Sequence, residues 1–292
     1  RRKRTMSYDP VQRHRDLESL IVRKRIGGDQ RKYYGFRHDS THGGIITADC
    51  AGCALECKFC WTRTGQCADD PEGGEYLGPG EVGDRILALM RTARVNQTRV
   101  SGGEPTIGRP HLLGVLNHLR YRRVRFVLET NGILIGHDET YAQDLADFPF
   151  LHVRVSLKGC SEEEFGRLTG ADPKGFLLQL AALRNLVNAG ISAHPAVMSS
   201  FSHPAAIDRF YSTIWKIDPR MHSEVEKELV VPYPYPRAYA KPAPLPPDRG
   251  RPPVRRLKPE EPRKRFGAPK AHTGKRPPRR GGAREEPRGR RH

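Results

Sequence analysis

Short apolar segments alternate with longer amphipathic segments between residues 43 and 232. The short segments are rich in β-branched residues, whereas the longer ones repeat apolar residues at helical spacing. This alternation is typical of βα units that build a parallel sheet. The pattern predicts six strands, at residues 44–48, 97–100, 124–129, 151–157, 191–198 and 226–231. It predicts helices at residues 79–93, 110–121, 138–148, 173–189 and 204–217, several of which begin at proline.

Four motifs follow the predicted strands. The stretch "DCAGCALECKFCW" follows the first strand, "SGGEP" the second and "TNG" the third, while "SLKG" closes the fourth. The carboxyl ends of parallel strands lie on one side of the sheet, where α/β proteins bind their ligands. Glycine-rich turns end many strands, but four motifs on one side predict a functional site. The pattern by itself fits both an open doubly wound sheet and a barrel.

The cysteine loop predicts a metal or redox centre. Cys53, Cys57 and Cys60 have the spacing C-x3-C-x2-C, and three thiolates leave a tetrahedral structural zinc site one ligand short. Cys50 is the candidate for that fourth ligand, so a structural metal site stays an alternative. Thiolates also hold iron–sulfur clusters, and a cubane bound by three cysteines leaves one iron open to a ligand.

The C-x3-C-x2-C loop, with Phe59 before its last cysteine, and the later "GGEP" together resemble the radical S-adenosylmethionine (SAM) superfamily. The resemblance implies an α/β fold, a partial (β/α)6 TIM-like barrel of parallel strands. It implies a [4Fe–4S] cluster on Cys53, Cys57 and Cys60, with SAM as the second cofactor. In this superfamily an electron from the cluster cleaves SAM to methionine and a 5′-deoxyadenosyl radical.

The resemblance also assigns SAM contacts to the two motifs that carry it. Phe59 would lie against the adenine. Gly102 and Gly103 would let the backbone approach the methionine part of SAM, and Glu104 would receive its amino group.

Two further motifs resemble those of the glycyl-radical activating enzymes. Thr130 and Asn131 match the "TNG" of those enzymes, and Lys158 matches the lysine of their D-x-K, so all three are predicted to contact SAM. Ser156 stands where those enzymes have the acid of D-x-K. It is a candidate ribose contact or, alternatively, a polar residue that ends the strand. With Glu129 as the nearby acid, this replacement puts a bound monovalent cation in doubt.

Other candidate residues have alternative interpretations. His194, on the fifth predicted strand, is a candidate adenosine contact or a hydrogen-bonded core histidine. Cys160 is a candidate radical relay or substrate contact, or an inert buried thiol. Cys50 and Cys67 flank the cluster loop without counterparts in the family.

The net charge of +18 belongs mostly to the end of the chain. Residues 241–292 hold eighteen Lys and Arg against five Asp and Glu, a net of +13 that leaves +5 for residues 1–240. Rich in proline and poor in large apolar residues, this stretch is predicted to be a disordered tail from residue 236. The prediction divides the chain into an N-terminal extension at 1–42, a radical SAM core at 43–235 and the tail at 236–292.

The chain is expected to be a cytoplasmic enzyme without a membrane segment, because it has neither a long apolar window nor an apolar signal core. Its predicted partners are a flavodoxin-like or ferredoxin-like electron donor and a protein, peptide or small-molecule substrate. A protein or peptide substrate follows from the activating-enzyme motifs. A tRNA or nucleoside substrate is the alternative, because "CKFCW" also resembles tRNA wyosine-base synthases and the basic tail predicts weak nucleic-acid binding. A non-catalytic metal-binding scaffold is the third hypothesis.

Overall fold

The computed structural model describes residues 7–40, 43–60 and 74–230. The predicted tail and Cys67 lie outside these residues. The strands are β1 Val22–Arg23, β2 Gln30–Asp39, β3 Ile45–Cys50, β4 Glu75–Leu77, β5 Gln97–Gly102, β6 Arg125–Thr130, β7 Leu151–Leu157, β8 Ala193–Met198 and β9 Glu226–Glu228. The helices are α1 Pro10–Ile21, α2 Pro79–Ala93, α3 Arg109–Leu119, α4 Ile133–His137, α5 Glu139–Leu145, α6 Glu162–Thr169, α7 Gly175–Asn188, α8 Pro204–Ile217 and α9 Pro219–Ser223.

Six parallel strands form the centre of the sheet, in the order β3, β5, β6, β7, β8 and β9. This order follows the chain without the reversal that marks a doubly wound sheet, so it is the order of a barrel. The prediction of a parallel α/β fold is confirmed. Within the described residues the order of paired strands runs from β1 to β9, and no pairing between these two edge strands closes the sheet into a barrel.

The predicted N-terminal extension adds antiparallel strands to this sheet. Strand β2 pairs with β3, and β1 pairs with β2. Strand β4, which follows the cysteine loop, also pairs with β2. Helix α1 precedes them and begins at Pro10, with Asp9 accepting the backbone N–H of Val11 over 2.8 Å. Part of the segment predicted as an extension therefore shares one sheet with the core.

Strand β7 illustrates how the sheet divides its side chains between two faces. Leu151, Val153, Val155 and Leu157 are buried and belong to the apolar core, whereas the residues between them are polar and half-buried. The polar face of the parallel strands is called the inner face below. No helix in the described residues combines the length and the apolar character needed to cross a membrane.

Candidate functional site

The cysteine loop begins where β3 ends and is fixed at its far end by α6. The backbone N–H of Lys58 donates to the carbonyl of Leu168 over 2.9 Å, and the N–H of Cys60 donates to the carbonyl of Cys57 over 2.9 Å. The hydroxyl of Tyr8 accepts the N–H of Glu56 over 3.0 Å, so the N-terminal segment also holds the loop. These bonds place all three cysteines beside the carboxyl ends of the strands.

Burial dominates the chemistry of these thiols. It raises the pKa of Cys57 to about 12 and the pKa of Cys53 well above its ordinary value, and the neighbouring thiolates of the loop add to both shifts. The thiols are thus close enough to influence one another's ionisation. Without a metal the buried Cys53 and Cys57 thiols stay protonated at neutral pH, and metal coordination replaces the proton.

The three thiols of the loop are the ligands that the sequence predicts for the cluster. In the described residues no group of three His, Cys, Asp or Glu side chains is arranged to hold a single metal ion.

The "GG" of the second motif packs directly against the cysteine loop. The N–H of Gly103 donates to the carbonyl of Cys50 over 2.7 Å, and a Cβ at position 103 would lie 2.8 Å from that oxygen. Gly102 has a φ of 92°, a left-handed conformation that favours glycine. The two glycines therefore allow close contact with the cysteine loop, and their contact with the methionine part of SAM stays a prediction.

Glu104 presents a buried carboxylate held by hydrogen bonds. Its Oε1 accepts from the hydroxyls of Thr106 and Thr130, each over 2.6 Å, and its Oε2 accepts the N–H of Asn131 over 2.7 Å. Only 2% of the residue is exposed, and it makes no ion pair with a basic side chain of the described residues. Buried carboxylates are normally paired with a cation. The site therefore offers a fixed negative charge for a cationic ligand.

Asn131 links this carboxylate to the cysteine loop. Its Nδ2 lies 3.8 Å from Sγ of Cys53 and 3.4 Å from Nε2 of His14. His14, on α1, is buried, and this burial lowers its pKa although the charge of Glu104 opposes the shift. The structure thus gathers Cys53, Glu104, Thr130 and Asn131, as the sequence predicted, and adds His14, which the sequence analysis missed.

Lys158 follows β7 and also lies near the cysteine loop. Its Nζ donates to Oγ of Ser156 over 2.5 Å and lies 5.9 Å from the ring centre of Phe59. Burial lowers the pKa of Lys158, but two negative charges outweigh it: the thiolate that Cys57 becomes when a metal replaces its proton, and the carboxylate of Glu228. The pKa is therefore raised and the ammonium stays charged. Phe59 also contacts Phe201, with ring centres 5.9 Å apart.

Ser156 is bound to an acid from a distant part of the chain. Its hydroxyl donates to Oε2 of Glu228, on β9, over 3.2 Å. Glu228 also forms an ion pair of 2.7 Å with Arg154. A carboxylate therefore does lie next to Ser156, and this acid, Glu228, was not predicted from the sequence.

Gln179 and Arg31 hold the backbone of the site and were also missed. Nε2 of Gln179 donates to the carbonyls of Asn131 and Ser156, over 2.6 and 3.0 Å, and so joins the ends of β6 and β7. Arg31, 1% exposed, donates to the carbonyls of Ile107, Ala51 and Glu104. Gln179 is a single polar residue in an apolar part of α7, and Arg31 is one of several charged residues in β2, so the sequence offers no local signal for contacts so far along the chain.

His194 lies on the inner face at a distance from the cysteine loop. His194 pairs in register with Arg154 on β7. Arg154 comes four residues before Lys158, which lies near the cysteine loop, and four residues span about 13 Å along a strand. Nδ1 of His194 lies 2.6 Å from Nε2 of His152, and its Nε2 lies 3.4 Å from Oε2 of Glu226. Its contact with adenosine stays a prediction.

The two remaining described cysteines are both buried. Cys50 packs in the core, where burial raises its pKa to about 11. The N–H of Cys160 donates to Oε2 of Glu164 over 2.7 Å. Neither observation assigns a chemical role to these thiols.

The family follows from a comparison with known sequences. Residues 49–201, just over half of the chain, match the model of the radical SAM superfamily. The chain belongs to this superfamily. Radical SAM proteins use a [4Fe–4S] cluster and SAM, the two cofactors predicted from the cysteine and glycine motifs. The matched stretch begins at β3 and thus excludes α1 and β2, which carry His14 and Arg31.

Curated relatives of the radical SAM chain resemble it over part of their length. A probable GTP 3′,8-cyclase of Methanococcus vannielii is 31% identical over 121 residues, which are 41% of this chain and 38% of the relative. A probable GTP 3′,8-cyclase of Saccharolobus islandicus is 28% identical over 141 residues, which are 48% of this chain and 42% of the relative. The aligned part is thus less than half of these relatives.

A solved structure supports the fold. The crystal structure of Streptococcus suis SuiB bound to S-adenosylmethionine superposes with a TM-score of 0.50 and 16% identity. The superposition covers 62% of this chain and 39% of SuiB. At this identity the likeness concerns the arrangement of the chain.

Proposed function

We propose that the described residues form the SAM-cleaving site of a radical enzyme, with the cluster on Cys53, Cys57 and Cys60. The observation that carries the proposal is the carboxylate of Glu104. It is buried beside the cysteine loop, held by neutral donors, and without an ion-pair partner in the described part of the chain. The amino group of SAM is a cation that would complete the missing ion pair.

When bound and reduced, the cluster supplies the electron that cleaves SAM to methionine and a 5′-deoxyadenosyl radical. The residues of the chain orient and shield the reactants. Thr130 and Asn131 hold the Glu104 carboxylate in one position, so the carboxylate does not reorganise when SAM binds. Phe59 and Lys158 lie together at the loop, where the ring would shield the cluster from water and the ammonium offers a positive charge.

We propose that the substrate binds on the inner face and that the radical abstracts a hydrogen atom from it. Arg99 and Arg154 on this face are each paired with a carboxylate, Glu129 and Glu226, and Arg37 on the adjoining strand β2 is paired with Asp49. Arg125 is on the same face but is exposed at the start of β6, the end of the strand away from the cysteine loop. The arginines nearer the loop thus already have acidic partners, which favours a protein or peptide substrate, as in the activating enzymes, over a nucleoside triphosphate.

A purine nucleotide is the second candidate substrate. It is favoured by the relatives named probable GTP 3′,8-cyclases, although the aligned part covers only 38–42% of them. Incubation of the reconstituted, reduced chain with SAM and GTP tests this candidate. Formation of 5′-deoxyadenosine that depends on GTP, with a modified guanine product, supports it, whereas a rate that GTP leaves unchanged counts against it. An electron donor of the flavodoxin or ferredoxin type remains part of the proposal.

A further inference from the structure

The side-chain amide of Asn131 has a defined orientation. Its Oδ1 accepts the backbone N–H of Ile133 over 2.9 Å, at the start of α4. Because an N–H group needs an acceptor, this bond identifies the oxygen of the amide and directs Nδ2 away from α4. Nδ2 then lies between two atoms, Nε2 of His14 and Sγ of Cys53.

The acceptor on the His14 side is fixed by a second hydrogen bond. Nδ1 of His14 lies 2.5 Å from the carbonyl of Pro10, and a carbonyl only accepts, so Nδ1 carries the proton. In the neutral ring Nε2 is then an acceptor, and it receives one of the two protons of the Asn131 amide. The second amide proton has Sγ of Cys53 as its acceptor, at 3.8 Å.

We infer that Asn131 is a positioning residue that donates an N–H···S hydrogen bond to the cluster ligand Cys53, with its amide held by His14. This inference rests on the proposed function, because it takes Cys53 as a ligand. It differs from the resemblance, which assigns Asn131 to SAM. The His14 acceptor comes from α1, outside the matched family region.

A hydrogen bond to a cluster thiolate has a defined electrochemical consequence. Reduction adds negative charge to the cluster, and hydrogen bonds to its sulfurs are among the features that set the reduction potential. A donor to the Cys53 sulfur stabilises the reduced state more than the oxidised state. Loss of the donor therefore shifts the midpoint potential to a more negative value.

The test compares midpoint potentials without SAM. The full-length wild type and Asn131→Ala are reconstituted anaerobically with iron and sulfide, assayed for iron content, and titrated redoxometrically with detection of the reduced cluster by EPR. We expect Asn131→Ala to retain the cluster and to have a more negative potential. The expected change in the reduction equilibrium is about three- to tenfold, where tenfold corresponds to about 59 mV for one electron. Pulsed EPR in H2O and D2O should show an exchangeable proton coupling in the wild type that is weakened in the variant.

Two further variants make the test decisive. Asn185→Ala is the control, because it removes another side-chain amide that contacts α4. Nδ2 of Asn185 donates to the carbonyl of Ile135 over 2.9 Å, and its loss should leave the potential unchanged. His14→Leu removes the acceptor that orients the amide and should shift the potential in the same direction as Asn131→Ala. It also serves as the test variant if Asn131→Ala does not fold.

The inference would be overturned if the midpoint potential and the proton coupling were unchanged in both Asn131→Ala and His14→Leu. If Asn131→Ala changed only the affinity for SAM, Asn131 would be a SAM contact, as the resemblance predicts. A folded wild type that takes up no cluster would overturn the proposed function itself. That result would be visible before any variant is compared.

Discussion

The hydroxyl of Thr130 donates a 2.6 Å hydrogen bond to Oε1 of Glu104, across twenty-six residues of sequence. The bond joins the end of β6 to the loop that follows β5, and the N–H of Asn131 adds a second bond to Oε2. Two motifs that are separate in sequence thus form one unit around a carboxylate. This unit lies against the cysteine loop through Gly103 and Asn131.

Replacing Glu104 by glutamine should weaken SAM binding while the cluster is retained. The amide removes the negative charge that would pair with the amino group of SAM, and a charged hydrogen bond contributes about 1.5–3 kcal/mol. We expect the dissociation constant for SAM to rise about tenfold or more. Equilibrium binding of SAM to the anaerobically reconstituted protein, with iron content measured in parallel, checks this expectation.

Glu139→Gln is the matched control for that experiment. Glu139 is an exposed carboxylate in the first turn of α5, and its replacement should leave SAM binding unchanged. Equal affinity of Glu104→Gln and the wild type for SAM would show that the second motif has been assigned to the wrong ligand.

The Cys50 and Cys57 variants separate a cluster from the structural-metal alternative. Cys57→Ala should lose the cluster, because it removes a ligand from the C-x3-C-x2-C loop. Cys50→Ala should keep it, since Cys50 packs in the apolar core, and the small cavity should cost about 1 kcal/mol. Iron and sulfide content and the visible absorption spectrum measure the outcome. Loss of metal in Cys50→Ala, in protein that remains folded, would favour the four-cysteine site.

Arg31→Met should destabilise the fold by about 2–4 kcal/mol, because three carbonyls in the buried part of the site each lose one donor. Arg31→Lys should recover only part of this loss, since one ammonium does not reproduce the geometry of a guanidinium. Chemical denaturation of the protein without cluster measures both. Arg25→Met, at an exposed position, is the control, and a loss no greater than in that control would contradict the role given to Arg31.

Much of the fold could be predicted because its signals are local. Helices α2 and α8 begin at Pro79 and Pro204, as predicted, since proline at the first position marks a helix start. Strand β2 was missed because charged residues interrupt its apolar pattern. The reason is visible in the structure, where Arg37 forms an ion pair with Asp49 of the neighbouring strand β3.

Site residues that belong to a sequence motif could be predicted. Those that reach the site only because the fold brings distant segments together could not. Glu104 and Thr130 stand in recognisable motifs after strands. Gln179 meets Asn131 from a helix forty-eight residues away, and Arg31 reaches Glu104 across seventy-three. Such contacts depend on how strands and helices are placed in the fold, which one sequence does not reveal.

Stability should fall as the pH decreases from about 6.5 to about 4, and His111 should contribute to this fall. Burial lowers the pKa of His111 to about 4, whereas an unfolded histidine has a pKa of about 6.5. In this window the unfolded chain binds more protons, so stability rises with pH, by at most about 3 kcal/mol for this one group. Denaturation curves at several pH values measure the slope.

His111→Gln removes the titrating group and should give a shallower slope between these pH values. The ring accepts a hydrogen bond at Nε2 from the hydroxyl of Tyr33, 3.1 Å away, and protonation would break it. Equal slopes in His111→Gln and the wild type would show that the protonation of His111 is not linked to unfolding.

The most direct test of the account is the anaerobic cleavage of SAM. The full-length chain is reconstituted with iron and sulfide, reduced with dithionite and given SAM, beside a variant with Cys53, Cys57 and Cys60 all replaced by alanine. The account predicts 5′-deoxyadenosine from the wild type and none from the variant. Well-folded wild type that assembles no cluster, or 5′-deoxyadenosine that forms equally in the variant, would contradict it.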